Sequence, residues 1–173
     1  ATLKRHRVAT PMTARPANGN HRPGGKFEVR TLVRADEFAA LRADWNALLR
    51  GRQRDEVFLT HEWFDAAWQW RQQTADLFVL CLFYRDRLAA ALPLVRAKRG
   101  GARGRELDFL TVPDTQFCDI VASDEHRAEA VTAFVDELIL RRDDWDVLRL
   151  GYLREDAIAA NELARAFTGL RIA

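Results

Sequence analysis

The sequence predicts an α/β domain, a mixed and mainly antiparallel sheet flanked by helices. Three observations predict it. Short apolar runs of strand length alternate with longer segments whose apolar residues recur at helical spacing. Two of the runs, Leu77–Tyr84 and Leu88–Val95, are separated only by Arg85-Asp86-Arg87 and form a hairpin. The chain has 173 residues, 48% hydrophobic and 30% charged, which suits one globular domain or one lobe of something larger.

Along the chain, residues 1–26 hold six bases and no acid. Removing them leaves 21 of the 27 bases against all 25 acids, a balance of −4 for the rest. Residues 1–25 are rich in proline and glycine and poor in apolar side chains, which predicts a disordered basic tail ahead of a domain at 26–173. Such a tail can touch nucleic acid or anionic lipid, but its simplest reading is a solvated leader. Phe27–Arg34 alternates apolar and polar residues, as a half-buried strand does. Asp36 and Glu37 open a helix through Arg50 whose apolar face is Phe38, Leu41, Trp45 and Leu48. Residues 51–55 are a polar break.

Phe58–Trp70 holds three of the five tryptophans, and the domain is expected to be organised around it. Thr60 suits an N-cap and Glu62 the positive end of the helix dipole. Trp63, Ala67 and Trp70 recur at i, i+4 and i+7, with Phe64 and Trp68 beside them, which predicts a wide apolar stripe and places Trp63 in the core with Trp45. After the hairpin, Arg96–Arg105 is basic and glycine-rich, either an exposed hairpin end or an anion-binding loop. Glu106–Leu110 and Cys118–Ala122 read as strands. Ser123 is placed to cap a helix with Asp124 and Glu125 in its first turn and Val131, Phe134, Val135 and Leu138 on its core face. Trp145–Leu150 reads as a strand, Glu155–Phe167 as a helix, and Leu170–Ala173 as the start of another strand.

Several function classes are set aside. No apolar run approaches the roughly 18 residues of a membrane span, and the N-terminal residues lack a secretory h-region. Cys81 and Cys118 form no disulfide framework, and a reducing cytoplasm is the simplest setting. His61-Glu62 has no second histidine four residues on, and neither a CxxC pair nor a GxSxG elbow occurs, so no metal is expected. Asp114, Gln116, Cys118 and Asp119 cluster in a loop running into a strand, as ligand contacts or as turn chemistry. Cys118 is a poor nucleophile beside Asp119, because a neighbouring carboxylate raises a thiol pKa.

Taken together, Asp44-Trp45-Asn46-Ala47-Leu48, Phe58-Leu59-Thr60-His61-Glu62-Trp63-Phe64, Ala91-Leu92-Pro93-Leu94, Leu107-Asp108-Phe109-Leu110 and Cys118-Asp119-Ile120 form a pattern. Their order and spacing resemble the bacterial GNAT-like acyltransferases associated with cellulose and exopolysaccharide biosynthesis, over about residues 27–173. The resemblance implies a single GNAT-like lobe, the first of two in tandem, cut before the second. It also implies transfer of an acyl group from acetyl-CoA or another acyl-CoA to a hydroxyl or amine, on a small molecule or a saccharide. The family's glycine-containing pyrophosphate loop would fall at Ala122–Arg127, where there is no glycine and two carboxylates stand instead. Acyl-CoA is therefore expected on the second lobe, the partner of this one. For the chemistry, His61 is the first choice as base, with Glu62 and Asp119 after it, and Trp63, Asp114 and Gln116 are expected to contact substrate. The alternative is a non-catalytic lobe that docks a second domain or a partner protein. Nucleic-acid association through the tail and Arg96–Arg105 is a third reading.

Overall fold

The computed structural model describes residues 2–4, 27–50, 56–98 and 104–169. Its strands are β1 (Thr2–Lys4), β2 (Phe27–Leu32), β3 (Ala75–Tyr84), β4 (Arg87–Ala97), β5 (Glu106–Phe109), β6 (Val121–Ala122) and β7 (Val147–Arg149). Its α-helices are α1 (Ala35–Ala40), α2 (Arg42–Ala47), α3 (His61–Arg71), α4 (Arg127–Leu140) and α5 (Ala164–Gly169). The strands make one sheet in the order β1-β7-β5-β4-β3-β2, with β6 also on β4. Only β5 and β7 run parallel among the described strands; every other pair is antiparallel. The predicted architecture, a mainly antiparallel mixed sheet flanked by helices, is the one observed.

The hairpin is the centre of the sheet, with Leu80 opposite Leu92 and a bulge between Leu82 and Phe83. Leu77–Phe83 and Leu88–Val95 are buried at every residue. Since successive strand residues point to opposite faces, both faces must be covered. α4 packs on β2, β3 and β4, and α2 packs on β4. Trp45 and Trp145 are buried and send their indole N–H to backbone carbonyls, of Leu59 and Leu138, each at 2.9 Å. The hairpin closes in two residues, Arg85 at φ 48° and Asp86 at φ 61°. Both lie in the left-handed region that such a turn demands and that asparagine and glycine fill at less cost.

Several expectations need correction. Thr2–Lys4 is not part of a disordered tail but pairs antiparallel with β7, where an unpaired sheet edge accepts it; residues 5–26 lie outside the described ones. The helix expected through Arg50 is two helices, broken at Leu41, whose N–H bonds back to Phe38 at i−3. On α3 the buried residues are His61, Phe64 and Ala67, while Trp70 is 60% exposed and Trp63 only partly buried. At about 100° per residue, Trp63 and Trp70 sit a third of the way round from Phe64, so the wide stripe buries its Phe64 and Ala67 side and leaves these two tryptophans at its edge. The strand expected from Cys118 shrinks to Val121–Ala122. The last helix starts later, with a π-helical turn at Ala159–Leu163 leading into α5. Ser123 stands at the start of a 3-10 turn, Asp124–His126, that precedes α4, but its hydroxyl makes no cap bond and is buried without a hydrogen-bond partner among the described residues. Residues 99–103 of the basic loop, and the strand start at 170–173, lie outside the described residues.

Candidate functional site

α3 starts as the sequence predicts. The Trp63 N–H donates to Thr60 Oγ1 at 3.3 Å, so Thr60 is the cap. The first helical residue is more enclosed than one at a pocket mouth. His61 is 2% exposed, and its ring stacks on Phe38 at 4.5 Å and meets Trp45 edge-on at 5.8 Å. Its Nε2 lies 2.9 Å from the Phe38 carbonyl, so that nitrogen is the protonated donor. Glu62 accepts from Asn46 Nδ2 and from Arg42 Nε. The Asn46 bond foremost, with the Glu62 backbone N–H and Arg42, holds its carboxyl down at about 2. A carboxylate so stabilised is a weak base. His61 and Glu62 border a hollow of about 200 Å³.

Asp119 stands elsewhere. It accepts the N–H groups of Ile120, Ile158 and Ala159, each at 2.8 Å. Burial pushes its carboxyl up, and the three N–H groups oppose that. It acts as the N-terminal cap of the π-turn and α5, some forty residues on in sequence. No hydrogen bond among the described residues joins it to His61 or Glu62. Cys118 beside it is buried, and burial pushes its thiol well up.

The three residues expected to touch substrate do come together. Trp63 Nε1 donates to Thr115 Oγ1 at 3.2 Å, which also accepts the Val112 N–H. Exposed Asp114 and Gln116 flank Thr115 in the turn. Phe58 packs edge-on against both Trp63 and Phe117, at 4.6 and 5.3 Å, and Arg154 lies over Phe117. The result is a partly exposed aromatic cluster beside a loop that carries an exposed carboxylate and an exposed amide.

The other end of α3 carries a group that sequence reasoning missed. Arg71 donates to the Thr111 carbonyl and lies 3.9 Å from Asp108 on β5. Glu106, two residues earlier and on the same strand face, pairs with Arg149 of β7 at 2.7 Å. Burial, then the neighbouring Glu106 charge, pushes the Asp108 carboxyl up to about 6, against the pull of Arg149 and Arg71. Among the described residues Asp108 Oδ1 is buried without a hydrogen-bond donor, and the Glu106 carboxyl stands beside the group. The available signal was the Glu106-x-Asp108 spacing, which puts two carboxylates side by side on one strand face. Arg71 lies about 12 Å along the helix from Trp63, at 1.5 Å per residue. α3 therefore runs between the Asp108–Arg71 pair and the aromatic cluster.

A separate groove of about 610 Å³ opens between the end of α2, the hairpin tip and the turn leading into α4. That volume is within the range of small-molecule sites. The basic segment read as either an exposed hairpin end or an anion-binding loop pairs internally where it is described: Arg96 and Lys98 face Asp76, and Arg105 is bound to Asp146.

No protein-family model matches the chain, and no curated protein does. Among solved structures it is similar to a possible acetyltransferase from Clostridium difficile 630, at 15% identity and a TM-score of 0.47, over 82% of this chain and 89% of that one.

Proposed function

We propose that the chain is a GNAT-like acyltransferase lobe that presents an acceptor hydroxyl or amine, on a small molecule or saccharide, for acylation. The observation that carries this reading is Asp108. A half-buried carboxyl poised near 6 beside Arg71 takes a proton at neutral pH, as acyl transfer to a hydroxyl or ammonium requires. The Phe58–Trp63–Phe117 cluster, about 12 Å along α3 from Arg71, supplies apolar faces for a more distant part of an extended acceptor, such as a second sugar ring, and exposed Asp114 and Gln116 supply hydrogen-bonding groups beside it.

Acyl-CoA does not fit the turn where the resemblance would put its pyrophosphate. The Ser123 N–H there is taken by the Ala89 carbonyl at 3.0 Å, and Asp124 and Glu125 stand exposed beside it. The proposal accordingly leaves the donor to a second lobe, and this chain alone should bind acetyl-CoA more weakly than about 10 μM, or some 7 kcal/mol. Isothermal titration checks that. The activity test supplies acetyl-CoA at millimolar concentration with a panel of amines and saccharides, and follows release of the free thiol. Turnover by this lobe without its donor lobe is expected to be slow; its acceptor-dependent part should rise with pH through about 6, and Asp108→Asn should lower it by a factor of about 10²–10⁴. Release without an acceptor effect, or unchanged in Asp108→Asn, counts against the reading. The two carboxylates at the α4 turn favour a second reading, a non-catalytic lobe that docks another domain or protein, and an inactive panel would leave that one standing.

A further inference from the structure

The groove at the hairpin tip lies at the other end of β4 from the Asp108 cluster. Ala89, on its wall, and Val95, opposite Asp108, are about 20 Å apart along the strand. Three arginines line it: Arg85 and Arg87 from the hairpin and Arg50 after α2. Three carboxylates line it as well, Asp44 from α2 and Asp124 and Glu125 from the turn before α4. Among the described residues, no ion pair links any of these arginines to any of these acids; Glu125 instead approaches His126, at 3.9 Å. Six charges that could neutralise one another in pairs are held apart around one opening.

Their positions are built. Arg85 occupies left-handed backbone where glycine or asparagine is favoured, and its guanidinium lies 5.2 Å from the Tyr84 ring centroid. Tyr84 in turn packs on His126 at 4.7 Å, and Phe27 packs on both rings, which fixes the hairpin tip against the start of α4. An arginine held in an unfavourable turn conformation at a ligand-sized opening is placed to use its side chain there. Ser123, also on the lining, keeps a buried hydroxyl without a partner.

A ligand of one sign gains from half of this lining and is repelled by the other half. That argues against a polyphosphate and for a molecule with both charges. We propose that the groove binds a small dipolar ligand carrying a carboxylate and an ammonium group, of the kind presented by a short peptide with free ends: the carboxylate toward Arg85 and Arg87, the ammonium toward Asp124 and Glu125. The site is exposed, so its affinity is modest and falls with salt. Binding there is independent of the acyl-transfer reading and is tested without any turnover.

The probes are triglycine, its N-acetyl form, its C-terminal amide, and inorganic pyrophosphate, titrated into the protein at low salt by calorimetry or NMR. Triglycine should bind tightest, and blocking either end should weaken it about tenfold. Arg85→Gln with Arg87→Gln should abolish the difference that amidation makes, and Asp124→Asn with Glu125→Gln the difference that acetylation makes; all four side chains are exposed, so neither change threatens the fold. The proposal is overturned if blocked and free peptides bind alike, if no peptide binds, or if pyrophosphate binds more tightly than triglycine.

Discussion

Asp108 ionises near pH 4 in the unfolded chain but only near 6 within the fold. Between those values the folded state holds the extra proton, so stability falls as pH rises from about 4 to about 6 and then levels off. Removing the charge removes the penalty. Asp108→Asn should therefore be more stable than the parent at pH 7 by about 1–3 kcal/mol, a gain that shrinks toward pH 4. Urea unfolding at pH 4, 5.5 and 7 measures this. A variant less stable than the parent at pH 7 would mean that pairing with Arg71 and Arg149 outweighs burial. Asp119 shows the other use of a buried carboxyl. Its three N–H partners are all backbone and both of its oxygens are engaged, so the group has been given to structure. Sequence alone could not separate the two, because Asp108 and Asp119 both sit in apolar strand-like context. The difference is whether a helix start arrives to use the oxygens, and that helix lies some forty residues downstream.

At the scale of elements, the hairpin and the core face of α4, with Val131, Phe134, Val135 and Leu138 buried, were plain, and the face of α3 was not. The hairpin was legible because its apolar runs are long and its turn is two residues. α3 misled because five of its eleven residues from His61 to Arg71 are aromatic rings, counting His61, and periodicity cannot rank faces that are all aromatic. The core claimed the face with Phe64 and Ala67 and left Trp63 to a satellite cluster with Phe58. This divides the two tryptophans expected to be equivalent. Trp45→Ala opens a cavity in the core and loses a buried hydrogen bond, and should cost about 3–5 kcal/mol. Trp63→Ala, at a partly exposed site with room for water, should cost less, about 1–2 kcal/mol. Chemical denaturation of both variants decides it, and equal losses would restore Trp63 to the core.

At the scale of the whole molecule, the sequence concealed long-range closure: the parallel pairing of β5 with β7, the groove assembled from three separated segments, and the strand Thr2–Lys4 on the far edge of β7. Each depends on segments far apart in the chain, and no local pattern encodes such a meeting. The edge strand leads to the last prediction. β1 makes three register pairs with β7, Thr2 with Arg149, Leu3 with Leu148 and Lys4 with Val147. Hydrogen bonds of that kind contribute about 0.5–1.5 kcal/mol each net of water. Against them stands the closure of the 22 residues between Lys4 and Phe27, which costs about 3 kcal/mol if the closure entropy scales as (3/2)RT ln n. The two nearly cancel. A chain beginning at Lys26 should therefore fold with the same sheet and lose less than about 1–2 kcal/mol in urea. Its larger change should be in association, because β7 would present bare N–H and C=O groups to other copies. Sedimentation of the shortened and full chains at matched concentration tests this. A shortened chain that stays monomeric would show that the β7 edge is protected by something other than β1, and a loss of several kcal/mol would make β1 an integral strand of the fold.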